Sequence, residues 1–305
     1  TDFKDGTDLD VTLQVRRVSV QDYRQREGSF LRLRLGDRMG EIESRVWDFN
    51  RNRDPVPLEG ELVKVQGRVV TFRENLELHI ARYEPVPWEG EDPTDYLPVT
   101  PFDRDVLLAE IKEAASHVED RHLSALLDSF FADEAWVAAF IMAPAAKVNH
   151  QAYIGGLLEH TANLVRMIPA LLANYPAANR ELLLVGAMLH DVGKIEEYTW
   201  DRFIDISDRG RLLGHIILGA EAVSRRIDAI PGFPAQLRDK LLHIIASHHG
   251  HYEWQSPKRP KFLEACLVHH IDLLDGEAQK FLPTAGSPDE GWEWVERLER
   301  WVYRS

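Results

Sequence analysis

Between Val11 and about Tyr83, apolar and polar residues alternate with a period of two in five short runs: Val11–Val15, Phe30–Leu35, Ile42–Trp47, Leu62–Val70 and Leu76–Ile80, divided by glycine-bearing breaks. Successive side chains of a strand point to opposite faces, so these runs predict a small antiparallel barrel. Leu31, Leu33, Leu35, Ile42 and Val46 then point inward, while Phe30, Arg32, Arg34, Arg45 and Trp47 share the outer face. Beyond Pro101 the apolar spacing becomes helical. It predicts helices over Val106–Val118, His122–Phe131, Glu134–Ala143, Gly156–Ala173, Arg180–His190, His215–Ile230, Pro234–His248, Lys261–Leu274 and Gly291–Tyr303. Between the two textures stand Pro85, Pro87, Pro93, Pro98 and Pro101 with several acidic residues, a composition that stiffens an extended connector and disfavours helix or central strand. The expected fold is multidomain: residues 1–84 form an all-β barrel, 85–100 a proline-rich linker and 101–305 an all-α helical bundle.

Composition changes this picture little: 305 residues suffice for two domains that each bury a core, and 44% hydrophobic with 28% charged residues is ordinary for a globular chain. The lone Cys266 cannot form an intrachain disulfide, and its apolar helical surroundings predict burial. Thr1–Asp10 is polar and acidic, and no stretch reaches the roughly 18 apolar residues of a membrane span, so the expected setting is the cytoplasm with no membrane partner. Trp292, Trp294 and Trp301 suit core packing better than a subunit contact, which leaves a homo-oligomer open.

Charge matters more. A net charge of −14 speaks against a polyanionic partner, yet residues 1–90 hold 15 basic against 17 acidic side chains, so the acidity lies in the helical part. Bound cations would offset it there. On the outer barrel face, rings that can stack on bases lie among guanidinium groups that can neutralise phosphates, the combination that single-strand binding uses. The same pattern is met if Trp47 caps the barrel and the arginines pair with Glu41, Glu43 or Glu77.

In the helical part His160, the pair His190-Asp191, His215, the pair His248-His249, and Asp272 follow in order, each in or at the end of a predicted helix. Ligands from facing helices of a bundle converge on a core site, and neutral imidazoles with carboxylates suit a first-row transition metal, so a two-metal centre is expected. In Met188-Leu189-His190-Asp191-Val192-Gly193-Lys194, Asp191 would bridge two cations with its two oxygens, and Lys194 would reach a phosphate oxygen. These two are the candidate catalytic residues. His117, His122, His243 and His251 read as ordinary core or surface histidines; His150 and His269 are intermediate.

This order, with His-Asp-Val-Gly-Lys at its centre, resembles the HD superfamily of metal-dependent phosphohydrolases from about Pro101 onward. The chain as a whole is similar to the YhaM-type 3′-to-5′ exoribonucleases, which join an OB-fold to an HD domain. The similarity is carried by Phe30-Leu31-Arg32-Leu33, Gly40-Glu41-Ile42-Glu43, Val46-Trp47-Asp48, Gly155-Gly156-Leu157-Leu158-Glu159-His160-Thr161, Ser247-His248-His249-Gly250, Ser256-Pro257-Lys258 and Ile271-Asp272. It implies an OB barrel, a divalent-metal phosphodiesterase and removal of nucleotides from a 3′ end of single-stranded RNA or DNA. It also implies that His160, His190, Asp191 and Asp272 hold one metal, and that His215, His248 and His249 hold a second with Asp191 shared. Manganese is the metal the resemblance favours; iron, cobalt and zinc also suit the donors. Asn149 departs from the family pattern, which has a histidine there.

No Gly-x-Ser-x-Gly elbow and no Walker-type loop occurs, so acyl hydrolases and P-loop triphosphatases lack their signatures. Two alternatives stay open. The HD site could act on a small or cyclic nucleotide with the barrel regulatory, although the Gly-Tyr-Pro signature of cyclic-di-GMP enzymes is absent; or the chain could be a binding module with a structural metal.

Overall fold

The computed structural model describes residues 1, 3–148, 151–282 and 290–304. The chain forms two compact units, Thr1–Val99 with Asp201–Phe203, and Thr100–Trp200 with Ile204–Ser305.

In the first unit β1 (Asp8–Asp22), β2 (Ser29–Asp37), β3 (Gly40–Phe49), β4 (Leu62–Phe72) and β5 (Asn75–Val86) close into a barrel with neighbour order β1-β2-β3-β5-β4. The ladders are antiparallel except for the short parallel closure of Glu43–Arg45 on Glu77–His79. Leu13, Val15, Leu31, Leu33, Leu35, Val65 and Leu78 fill the interior without exposure, the inward set that the alternation requires. β1 is far longer than its apolar run. Its first half pairs with β4 and its second with β2, across a register shift between Val15 and Arg17, so one strand serves two neighbours. β5 likewise continues into the expected linker, with Pro85 opposite Val63. β3 reaches β5 only at Glu77–His79, so β5 has one neighbour at Pro85, a place where proline is tolerated in a sheet. A single 3₁₀ turn, Pro93–Asp95, follows, capped by the Asp92 side chain.

The second unit holds α1 (Arg104–Ser116), α2 (Arg121–Phe131), α3 (Glu134–Met142), α4 (Gly156–Asn174), α5 (Arg180–Leu189), α6 (Lys194–Glu197), α7 (Asp208–Asp228), α8 (Ala235–Ser247) and α9 (Leu263–Phe281). Asp103, Asp120, Asp133, Asn179 and Ser207 each accept hydrogen bonds from the first-turn amides of α1, α2, α3, α5 and α7, which sets where those helices begin. Phe130, Phe140, Leu126, Leu158, Leu183 and Ile244 are among its buried core. α5 is apolar on all sides and sits in the middle of this core, with Leu182 through Leu189 all buried.

Several expectations are corrected here. The unit is helical but not all-α: a two-stranded pair, β6 (Tyr198–Thr199) and β7 (Asp205–Ile206), follows α6, and the C-terminal run is a hairpin of β8 (Gly291–Val295) and β9 (Arg300–Arg304) instead of a helix. Trp292 faces Tyr303 and Trp294 faces Trp301 across it, a period of two that outweighs the helical reading of the same residues. Nor do these tryptophans pack in a core, since Trp292, Trp294 and Trp301 are exposed while Val295, Leu298 and Val302 are buried. Cys266 is half-buried rather than buried. Among the described residues no helix is long and apolar enough to cross a membrane.

Candidate metal centre

The centre of the site is the turn that ends α5. His190 occupies the C-cap of the helix, and the Lys194 amide donates to the Asp191 carbonyl at 2.9 Å, which reverses the chain at once into α6. His190 Nε2 thereby lies 3.3 Å from Asp191 Oδ2. The turn runs so close to α7 that a Cβ on Gly193 would lie 2.0 Å from the His215 carbonyl oxygen, so only glycine lets the two backbones approach. α7 in turn is kinked at Gly214, whose φ of 72° and ψ of 158° interrupt the helical ladder. Glu197 takes up the freed amide and also holds the ring: its Oε1 accepts from the His215 amide at 3.1 Å and its Oε2 from His215 Nδ1 at 2.9 Å.

Around Asp191 the candidate residues gather in two groups. His160 on α4, His190, Asp191 and Asp272 on α9 form one; His215, His248 and His249 form the other, and within each group the donor atoms lie within 4.8 Å of one another. His160 Nε2 is 3.6 Å from Asp191 Oδ2 and 3.3 Å from Asp272 Oδ1. On the opposite side of the same carboxylate, His215 Nε2 and His248 Nε2 stand 3.6 and 3.4 Å from Oδ1, and His215 Nε2 is 3.3 Å from His249 Nε2.

Every one of these rings is held by its other nitrogen. Nδ1 donates to Asp275 Oδ2 in His160 (2.7 Å), to the carbonyls of Ala187 in His190, Ile245 in His248 and Trp254 in His249 (each 2.8 Å), and to Glu197 in His215. A carbonyl can only accept, so Nδ1 carries the proton and the Nε2 lone pair faces inward, the tautomer a metal ligand needs. Asp275 is itself held by Asn163 at 2.9 Å. Asp275, Asn163 and Glu197 escaped the sequence reading. Asp275 lies one helical turn after Asp272 and Glu197 one turn after Lys194, spacings that mark them in retrospect.

The electrostatics favour ionised carboxylates at the centre. Burial opposes charge on Asp191, but Lys194, whose Nζ is 2.6 Å from Oδ2, and His190 hold it well below the usual carboxylate range. Burial likewise opposes charge on Asp272, and His160 and His190 hold it low. Burial and the neighbouring His248 push His249 down to about 4, and burial lowers His248 also. Asp191 Oδ1 and His248 Nε2 are buried without a hydrogen-bond partner. Such orphaned atoms cost about 1–3 kcal/mol each unless something pairs with them, and an all-nitrogen-and-oxygen donor set turned inward is compatible with divalent-metal binding.

His160 differs from its neighbours: burial works against its charged form, yet Asp272 and Asp275 push it up to about 9. Below that pH the metal-free ring is protonated on Nε2, and ligation must displace the proton. Metal affinity should therefore rise with pH up to about 9, and titration calorimetry at pH 7 in buffers of different ionisation enthalpy should show close to one proton released from this ring. Absence of any proton release would rule this out.

The four histidines set aside in the sequence have local partners: His117 donates to the Glu113 carbonyl, His122 packs on Phe233, His243 accepts from the Lys261 amide and His251 packs on Trp254. Buried His269 donates from Nδ1 to the His248 carbonyl at 2.6 Å and lies under Gly250, supporting the His248-His249 turn from behind. Asn149 and His150 lie outside the described residues.

On the barrel, Phe30 and Trp47 lie 5.3 Å apart, Tyr23 stacks on Trp47 at 6.2 Å and His79 meets it edge-on. Arg45 lies over the Phe30, Trp47 and Phe72 rings. The arginines are not free: Arg32 and Arg34 both bind Glu43, at 2.9 and 2.7 Å, and Arg45 binds buried Glu77 at 2.8 Å. The face thus offers rings directly, and guanidinium groups only in exchange for their carboxylates.

A helical unit with this inward-facing histidine and aspartate set defines an HD-type hydrolase domain, and residues 157–277 match the model of the HD domain family. Three relatives named 3′-5′ exoribonuclease YhaM resemble almost the whole chain. The protein from Geobacillus sp. (strain WCH70) is 30% identical over 90% of this chain and 84% of its own length. Those from Shouchella clausii (31%) and Bacillus subtilis (30%) each match 81% of this chain, covering 77% and 78% of their own. The chain belongs to the YhaM family and is a hydrolytic enzyme. A solved chain from a replication protein A heterotrimer bound to ssDNA overlaps 27% of this chain and 58% of its own at 22% identity, with a TM-score of 0.21, too low for a shared fold to follow.

Proposed function

We propose that the protein is a metal-dependent 3′-to-5′ exoribonuclease with two divalent ions, acting on single-stranded RNA and secondarily on single-stranded DNA. The observation that carries this reading is the position of Asp191, one carboxylate oxygen turned toward each histidine group. His160, His190, Asp191 and Asp272 would hold one ion and His215, His248 and His249, with Asp191, the other; manganese is the ion that the family resemblance favours. Bound there, such ions would neutralise a phosphodiester's oxygens and lower the pKa of a water molecule. The chain's own residues do the rest. Lys194 keeps Asp191 ionised and adds a buried positive charge beside the site. Asp275, Glu197 and the carbonyls of Ala187, Ile245 and Trp254 fix each imidazole's orientation.

Polarity and RNA preference rest on the relatives' names. The first unit we take to be an OB-fold, supported by its strand order β1-β2-β3-β5-β4 and the β3–β5 closure, and we propose that Phe30 and Trp47, with Arg32, Arg34 and Arg45, hold the strand. A time course on 5′-labelled single-stranded RNA with manganese should show progressive shortening from the 3′ end. If none occurs with metal content confirmed, a small nucleotide becomes the better substrate.

For the barrel face, replacing Phe30 and Trp47 together by alanine should weaken RNA binding about 30-fold or more in a filter or anisotropy assay, because each stacked base contributes roughly 1–3 kcal/mol. Hydrolysis of a small chromogenic diester should be unchanged. Equal loss on both substrates would remove the barrel from substrate binding.

A further inference from the structure

Beside the metal centre lies a cavity of about 310 Å³ whose walls differ in character. Asp191, Asp272, His248, His249 and Lys194 give it an ionic side; the lining also includes Ala145, Ala146, Leu273, Tyr198 and Trp254, together with Glu277 and Lys280. Its volume is at the low end of small-ligand sites, about 300–1,000 Å³, which suits one nucleoside unit and no more.

Trp254 is unusual in this setting. Its indole is 48% exposed although the chain around it is firmly tied. The Trp254 carbonyl accepts from His249 Nδ1, and its ring lies 4.5 Å from that of His251. Gln255 follows with φ of 63°, in the left-handed region, and turns the chain back. Buried Ser256 then anchors the loop: its hydroxyl donates to the Lys258 carbonyl at 2.7 Å, while the Ser256 amide donates to the His251 carbonyl at 3.1 Å. An exposed indole whose backbone is already tied costs little ordering entropy when it is covered, which is the property of a stacking platform.

Building on the proposed nuclease reading, we propose that this cavity is a single-nucleotide subsite in which the Trp254 indole stacks on the base of the nucleotide whose phosphate lies at the metal centre. A phosphate on the ionic side leaves its sugar and base to the rest of the lining, where Trp254 is the exposed ring while Tyr198 is half-buried and His269 is buried. Stacking reads the π-face common to all bases, so the subsite accepts any sequence.

The test compares the metal-loaded full chain with Trp254→Ala and Trp254→Phe, titrating adenosine 5′-monophosphate and ribose 5-phosphate by calorimetry and measuring metal content. Wild type should bind the nucleotide about 10- to 100-fold more tightly than the sugar phosphate. Trp254→Ala should bring the two together by weakening the nucleotide alone, with metal content unchanged, and Trp254→Phe should restore most of the difference. Unchanged nucleotide binding in Trp254→Ala overturns the proposal. So does equal weakening of both ligands or loss of metal, since Trp254 would then act only through His249. RNA degradation by the wild type is scored separately: intact RNA alongside base-dependent binding would overturn the exoribonuclease reading and leave the subsite standing.

Discussion

Asp191→Asn should abolish metal retention and lower phosphodiester hydrolysis by on the order of 10³-fold, the largest loss expected of any single change in this protein. Asparagine keeps the size of the side chain but offers one neutral oxygen where the two groups each face a charged one. The substitution also leaves the Lys194 ammonium buried beside a neutral amide. Removing one partner of a buried ion pair costs about 3–5 kcal/mol, so the fold itself loses stability. The double variant Asp191→Asn with Lys194→Met separates the two effects, because it removes the stranded charge. Its melting temperature should recover toward wild type while hydrolysis stays lost, as measured by thermal denaturation, metal analysis and diester turnover. Hydrolysis that returns with stability would mean that Asp191 serves the fold and not the reaction.

The second large effect belongs to a residue with no side chain. A Cβ on Gly193 would meet the His215 carbonyl oxygen at 2.0 Å and the Gly219 nitrogen at 2.5 Å, both backbone atoms that cannot step aside as a flexible side chain does. Gly193→Ala must therefore push α7 away from the α5–α6 turn, at a cost of about 3 kcal/mol or more. In a unit of this size that lowers the melting temperature by about 6–12 °C. The displaced element carries His215, whose Nε2 is 3.6 Å from Asp191 Oδ1, so metal at the second group should be lost before metal at the first. Metal stoichiometry with a thermal melt checks both points. A melting temperature within about 2 °C of wild type and full metal content would show that the two backbones separate without consequence.

Much of this architecture is legible in the residue pattern because it is local. The alternation of Leu31, Leu33 and Leu35 sets which face of β2 is inside, and the apolar run of α5 marks a buried helix. The ordered histidines and aspartates name the chemistry, since few other reasons place those residue types in that succession. Where local pattern misled, a competing period or neighbour was responsible: Trp292, Trp294 and Trp301 fit a helical spacing but pair across a hairpin, and Pro85 is accommodated by a strand with one neighbour. Only the tertiary structure decides the rest. That Arg32, Arg34 and Arg45 are engaged by Glu43 and Glu77 depends on strand register, and that Asp275 and Glu197 orient His160 and His215 depends on how α4, α6, α7 and α9 pack. The approach of Gly193 to His215, which brings two distant segments to one carboxylate, is likewise a property of packed backbones. Periodicity records which face of an element is buried; which groups meet there is set by contacts between residues far apart in the chain, and these leave no local signature.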